Sequence, residues 1–79
     1  MDTNQIGKII RFHRKKAGLS QQQLADLAGL GKTVVFDVEK GKTTIQYDTL
    51  LKLLAVLNIG IELQSPFMKA FKEQKNEKG

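Results

Sequence analysis

The sequence predicts an all-α domain, a bundle of four or five short helices followed by one short strand. Apolar residues recur at helical spacing in segments separated by glycine-containing turns, and only residues 59–64 alternate between apolar and polar side chains. A chain of 79 residues has room for one domain. We assign residues 1–65 to a helical, dimerising domain and residues 66–79 to a C-terminal tail.

Composition restricts the classes of function before any motif is considered. The formal net charge is +5, which favours a polyanionic partner, although a merely solvated basic surface is the alternative. The chain contains no cysteine, so we expect neither a disulfide bond nor a thiolate metal site. No apolar run reaches the roughly 18 residues that span a bilayer, and no signal peptide is recognisable. These absences predict a cytoplasmic protein without a membrane partner.

The sequence contains no pattern typical of an enzyme. It has one histidine and no cysteine, and no pair of carboxylates is spaced for acid–base catalysis. The tripeptide Gly31-Lys32-Thr33 resembles the end of a phosphate-binding loop, but Asp26 stands where that motif requires its first glycine. We therefore expect a binding protein with no cofactor, no catalytic residue and no metal ligand.

Capping residues and apolar spacing define the first two helices. The first helix begins near Asn4, with Thr3 or Asn4 as its N-cap, and ends at Gly18. Its apolar face contains Ile6, Ile9, Ile10 and His13. The second helix follows the N-cap Ser20, which has a glutamine three residues later as in a capping box. It ends at Gly29, where a positive φ is expected.

Glycines also delimit the third helix, and a leucine stripe marks the fourth. The third helix runs from Lys32 to Lys40, between Gly31 and Gly41. A loop follows, and Asp48 is the expected N-cap of the fourth helix. The apolar stripe of that helix contains Leu50, Leu53, Leu54 and Leu57. Because further apolar residues lie outside this stripe, we expect the fourth helix to be buried on two faces.

The alternating segment after the fourth helix predicts a strand with no partner in its own chain. It covers residues 59–64 and is stopped by Pro66. A lone strand leaves its backbone groups unpaired, so the simplest partner is the same strand of a second copy across a two-fold axis. The sequence therefore predicts a homodimer with an intermolecular ribbon formed through Ile59, Ile61 and Leu63. A fifth helix or a coil is the alternative for this segment.

The tail combines an apolar group with a charged end. Phe67, Met68 and Phe71 are followed by a charged run, which we expect to be disordered from about Gln74. The apolar group either packs back on the dimer or serves as a docking element, and the sequence does not separate these alternatives.

Residues 18–41 contain the layout of a helix-turn-helix motif, two short helices joined by a tight corner. In such a motif the N-terminal side chains of the second helix face base edges in the major groove. Lys32 can donate to guanine or phosphate, and Thr33 can hydrogen-bond a base or contact a thymine methyl group. Val34 can contact a thymine methyl group, and Asp37 can accept from a cytosine amino group. An ordinary solvated helix face is the alternative.

The stretch 6–57 resembles the lambda-repressor-like (Xre-type) DNA-binding domain. The resemblance is carried by G-L-S-Q-x-x-L-A-x-x-A-G-L at 18–30 and by V-E-K-G-K at 38–42. It implies that Gln21 binds phosphate and that Lys32 and Thr33 reach bases. It also implies contacts of Lys40 and Lys42 with the DNA backbone.

The same resemblance implies a structural ion pair and shows three departures. Arg14 in the first helix is expected to pair with Glu39 at the end of the third. His13 stands where the family usually has leucine, and we interpret it as a hydrogen-bonded core histidine. Phe12 and Phe36 stand at positions that are more often polar. Phe36 either packs against the fourth helix or is exposed for a partner.

Three segments narrow the resemblance to HipB-type antitoxins. They are R-F-H-R-K-K-A-G-L-S-Q at 11–21, T-V-V-F-D-V-E-K-G-K at 33–42 and N-I-G-I-E-L at 58–63. This resemblance implies a homodimeric autorepressor that restrains a HipA-like serine/threonine kinase toxin, and two-fold symmetry then requires an inverted-repeat operator in double-stranded DNA. The alternatives are an Xre-type regulator without a toxin and a protein-interaction module that has lost DNA binding.

Overall fold

The computed structural model describes residues 2–74. Five helices lie in this part of the chain, and they are α1 (Thr3–Lys16), α2 (Gln21–Ala28), α3 (Lys32–Glu39), α4 (Tyr47–Val56) and α5 (Met68–Glu73). The predicted all-helical class is confirmed. Apart from Gln74, which caps α5, the end that was expected to be disordered lies outside the described residues.

The first helix begins at Thr3, one residue earlier than predicted. Its N-cap is Asp2, whose carboxylate accepts the backbone N–H of Gln5 at 2.8 Å. Neither Thr3 nor Asn4 is the cap, because the helix already includes both. The Thr3 hydroxyl instead donates to the backbone oxygen of Gly41 at 3.0 Å, which ties the start of α1 to the end of α3.

The second helix has the caps that its sequence predicts. The Ser20 hydroxyl accepts the backbone N–H of Gln23 at 3.0 Å, and the Gln23 side-chain oxygen accepts the backbone N–H of Ser20 at 2.8 Å. Gly29 ends the helix with φ 70°, a left-handed conformation that glycine adopts without a steric penalty. The predicted capping box and C-terminal glycine are therefore confirmed.

The fourth helix starts at Tyr47, so the prediction of Asp48 as its N-cap is wrong. Gln46 occupies the cap position and makes no side-chain capping bond. Asp48 lies in the first turn, where its carboxylate accepts the N–H of Thr49 at 2.9 Å. An acidic residue is favourable both at a cap and in the first turn of a helix, so its presence does not fix which of the two positions it takes.

One apolar core joins the first four helices. Its fully enclosed members are Ile10, Leu24, Ala25, Val35, Val38, Leu53 and Leu54. Helix α3 packs against α1 and α2, and α4 packs against α2. Helix α5 contributes no buried residue, and the aromatic side chains of Phe67 and Phe71 are exposed. Phe67 and Phe71 therefore do not pack back on the described part of their own chain, whereas Met68 is half-buried.

Residues 59–64 form no strand within the described part of the chain. Helix α4 ends at Val56. Two residues later Asn58 takes a positive φ of 58°, and Ile59 donates its N–H to the backbone oxygen of Leu54 at 2.9 Å. The backbone groups of residues 60–64 have no backbone partner within residues 2–74. A strand is defined by a hydrogen-bonded neighbour, and none of the other described segments supplies one. The expected ribbon would be formed by two chains, and it stays a prediction.

Gly7 allows α1 and α3 to approach each other closely. It is buried in the middle of α1, and a Cβ atom there would clash with the backbone oxygen of Val38 and lie 2.9 Å from that of Glu39. Only glycine fits this contact without displacing the last turn of α3. The position of α3 on the bundle thus depends on a residue that the sequence did not single out.

Candidate nucleic-acid interface

A buried ion pair holds the C-terminal end of α3 against α1. The Arg14 guanidinium donates from Nε to Glu39 Oε2 at 2.6 Å and from Nη2 to Oε1 at 3.0 Å. Its Nη1 donates to the backbone oxygen of Leu19 at 2.8 Å. The two side chains are only 9% and 3% exposed. The hydrogen bond to Glu39 raises the pKa of Arg14 above its ordinary value, so the guanidinium stays charged.

The start of α2 joins the same network. Gln21, the first residue of α2, donates from Nε2 to Glu39 Oε1 at 3.1 Å. Glu39 therefore connects α1, the N-terminus of α2 and the C-terminus of α3. Gln21 is the residue from which a phosphate contact was expected, and in the free protein its amide nitrogen is already engaged. A buried network in which each charged group has partners fixes side-chain positions more strictly than packing alone.

The opposite end of α3 is open. Its N-cap is Gly31, which makes no side-chain capping bond, so the first turn has backbone N–H groups without a side-chain partner. Lys32 and Thr33 follow as the first two helical residues, and both are exposed. One shallow groove is lined by Gln21, Lys32, Thr33 and Phe36. Two of the expected base-contacting residues and the expected phosphate-contacting residue therefore share a surface.

Phe36 lies on this surface and is exposed. The residue is 45% exposed, and the ammonium group of Lys40 lies 5.4 Å from the ring centroid. A cation at this distance is attracted to the face of an aromatic ring. Of the two alternatives for Phe36, the structure has the exposed one. Phe36 was not predicted to contact DNA. Its spacing of one turn from Lys32 and Thr33 indicates that it shares their face of the helix.

The remaining expected contacts lie on another side of α3. Val34 is half-buried and packs against the core, and it lines a second depression together with Asp37 and Lys42. The Lys42 ammonium lies 3.6 Å from Asp37 Oδ2, in a partly exposed pair. The structure thus does not bring Val34, Asp37 and Lys42 into the groove that contains Lys32 and Thr33.

His13 is hydrogen-bonded as expected but is only half-buried. Its Nδ1 lies 2.7 Å from the backbone oxygen of Ile9, one turn earlier in α1. Because that oxygen can only accept, this geometry requires a proton on Nδ1. The ring also meets Phe12 edge-on, with the centroids 5.5 Å apart. His13 lies at the margin of the core and does not form part of its centre.

The outer face of α1 is a second basic surface, which we call the α1 stripe. It consists of Lys8, Arg11, Phe12, Lys15 and Lys16. All five residues are exposed, and the Lys16 ammonium lies 5.6 Å from the centroid of the Phe12 ring. The stripe carries positive charge, so it can attract a polyanion.

Two other kinds of site are not found in residues 2–74. No cluster of histidine, cysteine, aspartate and glutamate in this range is arranged to hold a metal ion. None of the described helices has both the length and the apolar character that crossing a bilayer requires.

Known proteins match most of this chain. A family model described as helix-turn-helix matches residues 10–64. An HTH-type transcriptional regulator of Sinorhizobium fredii is 38% identical over 61 residues, which cover 77% of this chain and 80% of that protein. The control protein C.SmaI of Serratia marcescens is 32% identical over 80 residues, covering 100% of this chain and 90% of that protein. An HTH-type transcriptional regulator of Haemophilus influenzae is 48% identical over 44 residues, covering 56% of this chain and 45% of that protein.

Proposed function

The chain belongs to the helix-turn-helix family, and we propose that it is an autorepressor and antitoxin that binds its operator as a homodimer. The general function, a transcriptional regulator with a helix-turn-helix DNA-binding domain, agrees with the family match and with the names of the relatives. Beyond this general function, we propose an inverted-repeat operator, a homodimer and a kinase toxin as partner.

DNA binding is supported most strongly by one observation: the C-terminal end of α3 is fixed and its N-terminal end is exposed. The C-terminal end is fixed by the Arg14–Glu39 pair, whereas the N-terminal end presents Lys32 and Thr33 to solvent beside Gln21. A recognition helix needs this arrangement, because side chains at its N-terminal end must enter the major groove while the rest of the helix stays rigid.

The charge distribution supports the same function. The net charge is +5, and exposed lysines lie on both α1 and α3. Neutralising phosphates with such residues releases counterions, so affinity for DNA should fall steeply as salt is added. Charge by itself gives affinity without sequence preference, which is why the test must separate the two.

The test is a titration of the purified full chain against two duplexes at near-physiological salt. One, which we call the operator duplex, is recovered by repeated selection from a random-sequence pool, and the other is its scrambled version. We expect the operator duplex to contain an inverted repeat and to bind roughly 10³-fold more tightly than the scrambled one. Equal binding would show that the surface attracts DNA only generically, and would favour the protein-interaction alternative.

An apolar groove supports the dimer. It lies between α1, α4 and residues 59–63, and Ile61 and Leu63 on its edge are 51% and 71% exposed. The adjacent backbone groups of residues 60–64 have no backbone partner within the described chain. A second copy placed across a two-fold axis would supply both an apolar surface and a hydrogen-bonding strand.

The oligomeric state tests this part of the proposal. We expect sedimentation velocity at micromolar concentration to give a dimer for the wild-type protein and a monomer for Ile61→Lys, which puts like charges at the centre of the ribbon. Leu27→Lys is the matched control, since Leu27 is 62% exposed on α2 and does not line the groove. A wild-type monomer, or an Ile61→Lys dimer, would contradict the ribbon.

The antitoxin role rests on the resemblance of residues 11–21, 33–42 and 58–63 to HipB-type antitoxins. It predicts that a neighbouring reading frame encodes a serine/threonine kinase. Co-expression should then restore growth of cells that produce this kinase, and the two purified proteins should form a complex on size exclusion. If the neighbouring gene encodes no kinase, or if the two proteins elute separately, the result would favour an Xre-type regulator without a toxin.

A further inference from the structure

We propose that Phe36 determines operator specificity by packing its ring against the C5-methyl group of a thymine in the major groove. This inference rests on the proposed DNA-binding function and adds one residue and one base to it. Phe36 was not among the residues that the sequence indicated as DNA contacts.

The first argument is the position of the ring on α3. Phe36 lies three residues after Thr33 and four after Lys32, so the three side chains occupy one face of the helix. They line the same groove together with Gln21. A helix that inserts Lys32 and Thr33 into a major groove therefore also turns Phe36 toward the bases, one turn further along the helix.

The second argument is the exposure of an apolar ring among polar groups. The ring is 45% exposed in the free chain, although α3 has buried positions at Val35 and Val38. Lys40 covers part of it, with its ammonium group 5.4 Å from the centroid. Phe36 remains exposed beside this contact, so its ring is accessible to an apolar partner.

The third argument concerns the chemistry of that partner. In the major groove each base edge presents hydrogen-bonding groups, and the thymine methyl group is the apolar feature that an aromatic side chain can contact. A phosphate or a guanine edge facing the ring would lose water without gaining a hydrogen bond. The ring therefore favours a base pair with thymine and disfavours the other pairs at that position.

A matched control is present in the same chain. Phe12 and Lys16 on α1 have the same four-residue spacing as Phe36 and Lys40, with the ammonium 5.6 Å from the centroid. Phe12 is 58% exposed, but it belongs to the α1 stripe and not to the groove beside Thr33. Phe12→Ala thus removes an equivalent exposed ring from a different surface.

The experiment replaces each thymine of the operator duplex with deoxyuridine, which lacks only the methyl group. We expect the wild-type protein to lose about fourfold in affinity at one thymine of each half-site, the effect of exposing about one methyl group. At that thymine Phe36→Ala should bind the two duplexes equally, and Phe12→Ala should keep the wild-type ratio. A thymine contacted by Thr33 would keep its ratio in Phe36→Ala and is thereby distinguished.

Two results would overturn the role of Phe36. The first is a wild-type protein that shows no deoxyuridine-sensitive position although it prefers the operator duplex to the scrambled one. The second is a Phe36→Ala variant that keeps the wild-type ratio at every position. Should Phe36→Ala fold poorly by circular dichroism, Phe36→Leu replaces it, and its thymine preference should fall below that of the wild type. A wild-type protein without any preference for the operator duplex contradicts the proposed function itself, and this inference with it.

Discussion

The two ends of α3 are held in different ways. At the C-terminal end, Glu39 accepts hydrogen bonds from two side chains of other helices, and the backbone packs against Gly7. At the N-terminal end, Gly31 offers no side-chain cap, and Lys32 and Thr33 are exposed. One eight-residue helix thus has a fixed end and an open end.

A small domain can therefore hold a binding helix rigidly at one end while the binding residues at the other end stay exposed. Interactions that fix the position of α3 are concentrated at the end away from Lys32 and Thr33, the residues expected to reach bases. Side chains at the other end keep their hydrogen-bonding capacity for a partner. Substitutions at the fixed end should therefore change the free energy of unfolding, and substitutions at the open end should change DNA binding.

The largest effect is expected from Glu39→Ala, which breaks the fixed end. Removing one partner leaves Arg14 buried and unpaired, and such a loss typically costs about 3–5 kcal/mol. A core of this size contributes a comparable amount, so the variant should be largely unfolded. Urea denaturation followed by circular dichroism measures the change. Because the hydrogen bond to Glu39 raises the pKa of Arg14, the stability that this shift contributes is fully present below the ordinary pKa of arginine and is lost only as the pH rises through the raised pKa.

Lys42→Ala is the control for that prediction. It removes the partly exposed pair between Lys42 and Asp37, and such surface pairs contribute only about 0–1 kcal/mol. If the free energies of unfolding of Glu39→Ala and Lys42→Ala fell by similar amounts, the fixed end would not depend on the buried pair.

Gly7→Ala should have the next largest effect. Alanine normally favours a helix over glycine by about 1 kcal/mol, but here its Cβ atom would meet the backbone oxygens of Val38 and Glu39. We expect a net loss of about 1–3 kcal/mol in the free energy of unfolding, as for other overpacked sites. Gly60→Ala is the control, since a Cβ atom there has no neighbour within 4 Å. A Gly7→Ala protein as stable as the wild type would contradict the close contact between α1 and α3.

Thr33→Ala at the open end and Lys40→Ala at the C-cap of α3 should affect DNA binding in different ways. Thr33→Ala should cost about 1–3 kcal/mol on the operator duplex and relax the preference at one base pair. Lys40→Ala should weaken the operator and scrambled duplexes alike and reduce the slope of log affinity against log salt by about 1. Fluorescence anisotropy at several salt concentrations measures both. Equal losses on the two duplexes for both variants would argue against this division between base and backbone contacts.

The smallest effect is expected from capping the open end with Gly31→Ser. The backbone of Gly31 is extended, with φ −80° and ψ 152°, and a Cβ atom there meets no neighbour within 4 Å. Serine should therefore cap the first turn of α3 and raise the free energy of unfolding by a few tenths of a kcal/mol. Gly29→Ser, at φ 70°, should instead lower it by about 1 kcal/mol. Thermal denaturation compares them, and a less stable Gly31→Ser would contradict the open geometry.

Local signals in the sequence predicted much of the fold. Helical spacing and the Ser20 capping box predicted α1 to α4, because these signals depend on residues a few positions apart. Helix α5 was not predicted and lies in residues that were assigned to the tail. The cap of α4 was predicted wrongly, since an aspartate suits both a cap and a first turn. The contacts at Gly7 and between Gln21 and Glu39 were not predicted, because each joins residues that are distant in the chain.

The sequence by itself determined the all-helical class, the limits of α2 and the family to which the chain belongs. These features follow from capping, periodicity and motif spacing, all of which act over short stretches. Which exposed residues share one surface depends on the tertiary structure. Phe36 lies in the groove beside Thr33, and Val34 packs against the core. Such choices depend on how neighbouring helices pack, because the crossing of α1, α2 and α3 sets which face of α3 remains in contact with water.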